Sequence, residues 1–264
     1  MPNDPANAIR FLAGRLASAR GVVVLTGAGV SAESGIRTFR DAADEATRTM
    51  AGLWKDFDPA KLATPEAFDA DPTLVTRWYD LRRRGCLAAT PNPGHLALAE
   101  MQRRVESRGG RFTLLTQNVD RLHHRAGSSG VVELHGSIIE WRCTRTGRKI
   151  TPDAAEFTTV PAPSPFVAGG LLRPDVVWFG EMLPEAALDI ASDALESCDV
   201  FISVGTSAQV FPAAGFIRTA SANGAFTAEV NREPTPISGL VDACLHGASG
   251  ALLPRVVDAA WPPS

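Results

Sequence analysis

The residues best suited to chemistry are spread thinly along this chain. His135 stands in Glu133-Leu134-His135-Gly136-Ser137, just after the apolar pair Val131-Val132. Imidazole titrates near pH 6.5, so a histidine beside a glycine at a cleft mouth suits general-base work. A structural histidine bonded to backbone fits that segment alone equally well. Gly27-Ala28-Gly29-Val30-Ser31-Ala32 matches the G-x-G-x-x-A pattern, whose glycines let backbone N–H groups approach a pyrophosphate at a helix start. Gln117-Asn118-Val119-Asp120, Gly205-Thr206-Ser207 and Asn231 add small, amide and acidic groups. His123 and His124 follow the second of these clusters and read as packing and surface residues.

These clusters share one position: each follows a short apolar run. Val22 to Leu25 precedes Gly27, Phe112 to Thr116 precedes Gln117, Val200 to Val204 precedes Gly205, and Phe226 to Val230 precedes Asn231. A weaker run lies near Val241 to Leu245. Helical spacing marks 5–19, with Ile9, Leu12, Ala13 and Leu16, and also 94–107 and 184–197; a further helix is expected near Ser31. Strands alternating with helices predict a doubly wound, Rossmann-like α/β parallel sheet. In such sheets ligands bind outside the carboxyl ends of the strands, where these polar residues collect. Four such tips favour a nucleotide site over plain turns. A hydride-transfer layout is not expected, because the acidic residues Asp44 and Glu45 fall in a loop rather than at a strand end.

Residues 36–92 read as loops and short helices, and 137–178 as irregular and Pro-rich, with Pro161, Pro163 and Pro165 close together. Both are expected to form a smaller module. The sheet domain is expected over 1–36, 93–136 and 179–264, and the module over 37–92 and 137–178.

Composition bounds the reading. The 264 residues are 45% hydrophobic and 21% charged, an ordinary globular mixture. A net charge of −3 gives no reason to expect nucleic acid. No apolar run reaches the roughly 18 residues needed to span a bilayer, and Met1-Pro2-Asn3-Asp4 opens without a secretory pattern. A cytoplasmic protein without membrane contact is expected, monomeric by default. The cysteines Cys86, Cys143, Cys198 and Cys244 contain no C-x-x-C pair and read as small buried or half-buried residues.

Taken together, the segments resemble the sirtuin family of NAD-dependent protein deacylases. Gly27 to Arg40 (GAGVSAESGIRTFR), Thr116 to Asp120 (TQNVD), Leu134-His135-Gly136, Val177 to Glu181 (VWFGE), Gly205-Thr206-Ser207 and Asn231 carry the resemblance. It implies NAD as cofactor and acylated lysine side chains of proteins as partners. The Gly27, Ala28 and Gly29 turn and Ser31 would hold the phosphates, with Arg40 nearby, and Phe39 would shield the reacting ribose. Gln117 and Asn118 would orient the nicotinamide ribose and Asp120 would bind the nicotinamide amide. Gly205, Thr206 and Ser207 would contact phosphate and ribose, and Asn231 the adenosine ribose. His135, Asn118 and Asp120 would carry the chemistry. The acyl oxygen would displace nicotinamide, His135 would deprotonate a ribose hydroxyl, and O-acyl-ADP-ribose would leave. Val177, Trp178, Phe179, Gly180 and Glu181 would pair as an edge strand with the substrate peptide.

Tyr79 and Arg82 sit three apart on an expected helix and share a face. With Ala63 they resemble the subgroup that removes succinyl, malonyl or glutaryl groups, in which a phenol and a guanidinium meet a terminal carboxylate. A solvated basic face is the other reading, given Arg82-Arg83-Arg84. The family normally holds a structural zinc with two cysteine pairs. Here Cys143 stands alone, its partner position is Thr146, and Pro161 to Ala168 contains no cysteine. The module is therefore expected to be zinc-free, packed by Ile138, Ile139, Trp141, Ile150, Phe157, Val160 and Phe166. Ala43 to Ala51 lengthens the cofactor loop, and Arg37 replaces a common proline. A mono-ADP-ribosyltransferase, a non-catalytic NAD or acyl-peptide sensor and, last, a dehydrogenase are the competing readings.

Overall fold

The computed structural model describes residues 5–36 and 59–262. Phe39, Arg40, Arg37 and the loop over Ala43 to Ala51 lie outside the described residues. In chain order the first elements are α1 (Pro5–Ser18), β1 (Gly21–Thr26), α2 (Ala28–Ala32), α3 (Pro59–Leu62), α4 (Pro65–Ala70), α5 (Pro72–Ala88) and α6 (Pro93–Glu106). Then come β2 (Arg111–Thr116), α7 (Leu122–Arg125), β3 (Val132–Glu133), β4 (Gly136–Cys143), β5 (Lys149–Ile150) and β6 (Leu172–Val176). The chain closes with α8 (Glu185–Ser197), β7 (Val200–Val204), α9 (Phe216–Ala222), β8 (Phe226–Asn231), β9 (Ala243–His246) and α10 (Ser249–Ala260).

The principal sheet runs β3-β2-β1-β7-β8-β9, with every pairing parallel. Every residue of β1 is buried, because parallel strands lie on both sides and helices cover both faces. Strand alternation divides its side chains. Val22 and Val24 enter one core with α1, α6 and α10. Val23 and Leu25 enter the other, with α8 and α9. Burying each such side chain contributes about 1.5–3 kcal/mol, so the strand tips rest on a well-buried core. The strand order reverses between β1 and β7, which is where this fold opens its ligand crevice.

The smaller module differs from the irregular segment expected over 137–178. It contains an antiparallel sheet of order β5-β4-β6. Two features hid it: Pro174 lies inside β6, and the register shifts between Ser137 and Trp141 in β4, breaking the period-2 pattern that marks a strand. Likewise 36–92 holds one long helix, α5, beside the short ones. Thr64 and Asp71 cap α4 and α5 through their side chains, each ahead of a proline at the helix start, as helix entry favours. Fully buried Trp141 and Ile138 centre a third core with Phe68, Val75, Tyr79 and Trp178. Ile139, Ile150, Phe157 and Phe166 pack against it, and Val160 is half-buried. The weakest expected strand shifts to β9, and α2 begins at Ala28 rather than Ser31.

Arg82-Arg83-Arg84 is not a uniformly solvated run. Arg83 is fully buried and donates to Asp80 at 2.6 and 3.0 Å and to the carbonyls of Asp153 and Ala155. Arg84 is half-exposed between Asp80 and Glu156. Arg82 stacks over the Trp78 ring at 4.7 Å.

Candidate active site

The crevice is built by bringing two turns together at glycine-only distance. Gly27 N–H donates to Val204 O at 3.0 Å and Gly29 N–H to Gly205 O at 2.7 Å. A Cβ on Gly29 would lie 2.7 Å from Gly205 O, and one on Gly27 would lie 2.7 Å from Thr206 Cβ. Gly205 itself takes φ +60, and a Cβ there would strike the Val30 amide. The glycines thus serve first to pack the β1 turn against the β7 turn. Because the Gly29 amide is spent on that contact, it does not point freely at a phosphate.

Beneath the turns lies a buried polar cluster. The Ser31 hydroxyl donates to Asp120 Oδ2 at 2.7 Å and accepts from Asn118 Nδ2 at 3.1 Å. Asp120 Oδ1 accepts the Leu122 amide at 2.8 Å. Both oxygens of Asp120 therefore act as acceptors, the role of a carboxylate, although burial pushes its pKa up. Ser31 was expected at the phosphates; here its hydroxyl is engaged with Asp120 and Asn118. With the Asn118 amide nitrogen held on Ser31, its carbonyl is left to face another group.

Sequence reasoning missed His95, which completes this cluster. It is fully buried, its Nε2 lies 3.4 Å from Ser31 Oγ, and its Nδ1 accepts the Asn92 amide at 3.4 Å. An Nδ1 that accepts leaves Nε2 carrying the proton that Ser31 receives. Burial lowers its pKa to about 4. Asn92 caps the helix start ahead of Pro93 through its side chain, and neither that cap nor the reach of His95 to Ser31 was read from the sequence. His123 is buried as expected, and His124 lies at the surface. His123 Nε2 meets Thr26 Oγ1 at 2.9 Å, and Thr26 and Thr116 share a 2.8 Å bond beneath the Asn118 amide. Its ring also meets that of His95 at 4.8 Å.

His135 follows β3 and precedes Gly136, whose φ of +71 starts β4 where a Cβ would collide with Asp175 O. Its Nδ1 lies 3.0 Å from Gln117 O. A carbonyl can only accept, so Nδ1 carries the proton and Nε2 presents its lone pair. Burial also lowers the pKa of His135, keeping it neutral near pH 7. Gln117 Nε2 donates to Thr206 Oγ1 at 3.1 Å and links the tips of β2 and β7. Ser207 is half-buried just beyond. Asn231 lies at the end of β8, its Nδ2 donating to Glu233 O at 2.9 Å. Gly27 to Ser31, Gln117, Asn118, Asp120, His135 and Gly205 to Thr206 therefore meet at neighbouring strand ends, with Asn231 two strands beyond β1.

Val177 to Glu181 is not a strand. It leaves β6 and turns at Phe179 and Gly180. The amides of Val177, Trp178, Phe179 and Glu181 donate to His135 O, Glu181 Oε2, Ala63 O and Trp178 O. A peptide can pair here only through the groups that remain. Phe179 is half-exposed, whereas Trp178 and Ala63 are buried. Tyr79 is buried against Trp78 and Trp178, and burial pushes its phenol up to about 12. A cleft of about 870 Å³ opens beside β4 and β6, lined in part by Glu133, Gly136, Arg142, Arg173, Asp175 and Glu181; Gln117, Asn118, Asp120 and His135 do not line it. Cys143 is buried against Gly170 and Ser164. Among the described residues no three His, Cys, Asp or Glu side chains converge as a metal set.

The family model described as "Sir2 family" matches residues 27–212. A relative from Thermus thermophilus, named NAD-dependent protein deacylase, is 50% identical over 235 residues, 88% of this chain and 87% of its own. NAD-dependent protein deacylase 1 from Pseudomonas aeruginosa is 46% identical over 253 residues, 94% of this chain and 97% of its own. Among solved structures, a Sir2 homolog-NAD complex superposes with a TM-score of 0.83 at 40% identity, covering 94% of this chain and 93% of that one. A Sir2 mutant with a deacetylated p53 peptide and 3'-O-acetyl ADP ribose gives a TM-score of 0.78 at 29% identity, covering 95% of this chain and 97% of that one.

Proposed function

Since the chain belongs to the Sir2 family, we propose that the strand-tip cluster is the site at which it works as an NAD-dependent protein deacylase, with His135 as general base. NAD supplies a ribose carbon for the acyl oxygen to attack, a nicotinamide that leaves and an acceptor for the acyl group. The glycine-lined crevice between β1 and β7 and the charged Asp120 beside Asn118 suit such a ligand. The observation that carries the reading is the orientation of His135, whose Nε2 lone pair takes up a proton because Gln117 O holds Nδ1–H. Asn118, fixed by Ser31, orients what it touches through its carbonyl.

The finer reading concerns the acyl group. Tyr79, Arg82 and Ala63 favour a chain ending in a carboxylate, for which a phenol O–H and a guanidinium are complementary donors. The substrate is an acylated lysine on a protein segment lying along Val177 to Glu181. A cytoplasmic setting fits the four free cysteines, as reducing compartments keep thiols unpaired. No described helix is long and apolar enough to cross a membrane. Matched succinyl-lysine and acetyl-lysine peptides with NAD, read by mass, test the preference. A higher kcat/KM for the succinyl peptide is expected; equal values would remove it.

A further inference from the structure

The connection from β8 to β9 joins two parallel neighbours, a crossing that usually carries a helix. Residues 232–242 form turns instead, and a buried carboxylate holds them. Glu229 lies inside β8 and is 1% exposed. Its neighbours Ala228 and Val230 enter the core of α1, α6 and α10, so strand alternation turns Glu229 toward the opposite face, the one covered by α8 and α9. There its Oε1 accepts the Thr235 hydroxyl and its Oε2 accepts the Ser238 hydroxyl. Each hydroxyl also accepts a backbone amide of the same turn: Thr235 Oγ1 that of Ile237 at 3.3 Å, and Ser238 Oγ that of Thr235 at 2.8 Å. Ile237, between them, is buried in the core of α8 and α9. Cys244 of β9 closes the turn from the other side, its thiol donating to Ser238 O at 3.1 Å.

Burying a carboxylate is costly unless hydrogen bonds satisfy it, and here the hydroxyls that satisfy it belong to the loop. Strand and loop are thus satisfied together. The loop begins at Asn231, which ends β8. Its backbone oxygen accepts the Gly247 amide at 2.9 Å, and Val230 O, one residue earlier, accepts the Gly205 amide of the crevice turn at 2.9 Å. The Asn231 backbone is therefore fixed by the sheet and by the turn after β9. Its side-chain amide is fixed differently: Nδ2 donates to Glu233 O at 2.9 Å. Glu233 lies two residues before Thr235, so the plane of the Asn231 amide follows the part of the loop that Glu229 holds.

We propose that Glu229 is a positioning residue for the adenosine end of NAD: from inside the sheet it latches Thr235 and Ser238, and through that turn it sets the Asn231 amide. The inference rests on the reading of Asn231 as the adenosine-ribose contact. The test is calorimetric titration of NAD and of ADP-ribose into E229Q, T235V, their double variant and N231A, with steady-state kinetics alongside. Glutamine keeps the length of Glu229, but its Nε2 donates, so one of the two hydroxyls loses its acceptor. Kd for NAD is expected to rise about tenfold in E229Q, the effect of one lost hydrogen bond to a charged group. KM for NAD should rise with it, while kcat at saturating NAD and KM for the acyl peptide change little. ADP-ribose should lose affinity by the same factor, since it keeps the adenosine end. T235V should weaken NAD in the same direction and add less than its own effect to E229Q, whereas T235S, which keeps the hydroxyl, should bind NAD as the wild type does. A merely structural role would lower Tm and kcat through the folded fraction and leave both Kd values unchanged. If N231A weakens NAD but E229Q does not, or if E229Q and T235V add in full, the reading of Asn231 stands and the role of Glu229 is overturned. If E229Q does not fold, T235V decides alone, and an unchanged Kd overturns the role. If N231A itself leaves Kd unchanged, both fall.

Discussion

His135 Nδ1 and the carbonyl oxygen of Gln117 are 3.0 Å apart, and this contact ties the imidazole to the residue that also bridges to Thr206. The imidazole is thus held by the same strand end that supplies Asn118 and Asp120. Orientation and tautomer come from backbone, which no side-chain substitution in the cluster removes.

Replacing His135 by Ala should lower deacylation by about 10²–10⁴-fold, the usual contribution of a positioned base. NAD binding should change little, because the crevice glycines and Asp120 are untouched. Steady-state kinetics with calorimetric titration of NAD checks both halves.

The pH profile should follow from burial of His135. Only the neutral ring accepts a proton, and burial lowers its pKa from the ordinary 6.5. The acidic limb of kcat/KM is therefore expected below pH 6.5, with activity lost as pH falls through the lowered pKa. A limb above 6.5 would assign that titration to another group.

Stability should also fall on acidification through His95. Its folded pKa is about 4 against about 6.5 unfolded, so between those values the unfolded chain binds more protons and gains as pH falls. Asp120, whose pKa is raised, acts in the opposite sense. The expected signal is therefore a difference: His95→Gln, which removes the titrating ring, should flatten the loss of Tm between pH 7 and pH 5. The same variant keeps a donor for Ser31 and should retain more activity than His95→Leu.

The Asp80–Arg83 pair should be costly to break. Both side chains are buried, at 3% and 0% exposure, so Asp80→Ala leaves an uncompensated guanidinium. A loss of about 3–5 kcal/mol is expected, measured by urea unfolding.

Metal removal should do little. Cys143 offers one thiolate where a tetrahedral zinc needs four donors, and the module is packed by Trp141, Ile138 and Trp178 instead. Elemental analysis is expected to find no stoichiometric zinc, and a strong chelator should leave Tm unchanged.

Much of the principal sheet was legible because β1, β2, β7 and β8 are short, largely apolar runs followed by small or polar residues. The antiparallel sheet was not, since Pro174 and the shifted register at Ser137 and Trp141 interrupt the alternation that betrays a strand. The site was legible as a set of residue types at strand ends. What each side chain does was less so: Ser31 and Asp120 lie 89 positions apart, and the tautomer of His135 depends on a backbone atom 18 positions away. His95 drew no reading from the sequence, and Trp178, expected to pair with the peptide, is instead buried with its indole nitrogen on the Tyr79 hydroxyl. Such long-range hydrogen bonds leave no local periodicity to read.

The most direct measurement is the mass of a succinyl-lysine peptide after incubation with NAD, compared between the wild-type chain and H135A. The account predicts that wild type removes the acyl mass and releases one nicotinamide for each acyl group lost, while H135A leaves the peptide intact. A peptide that instead gains the mass of ADP-ribose, or equal deacylation by H135A, would contradict it.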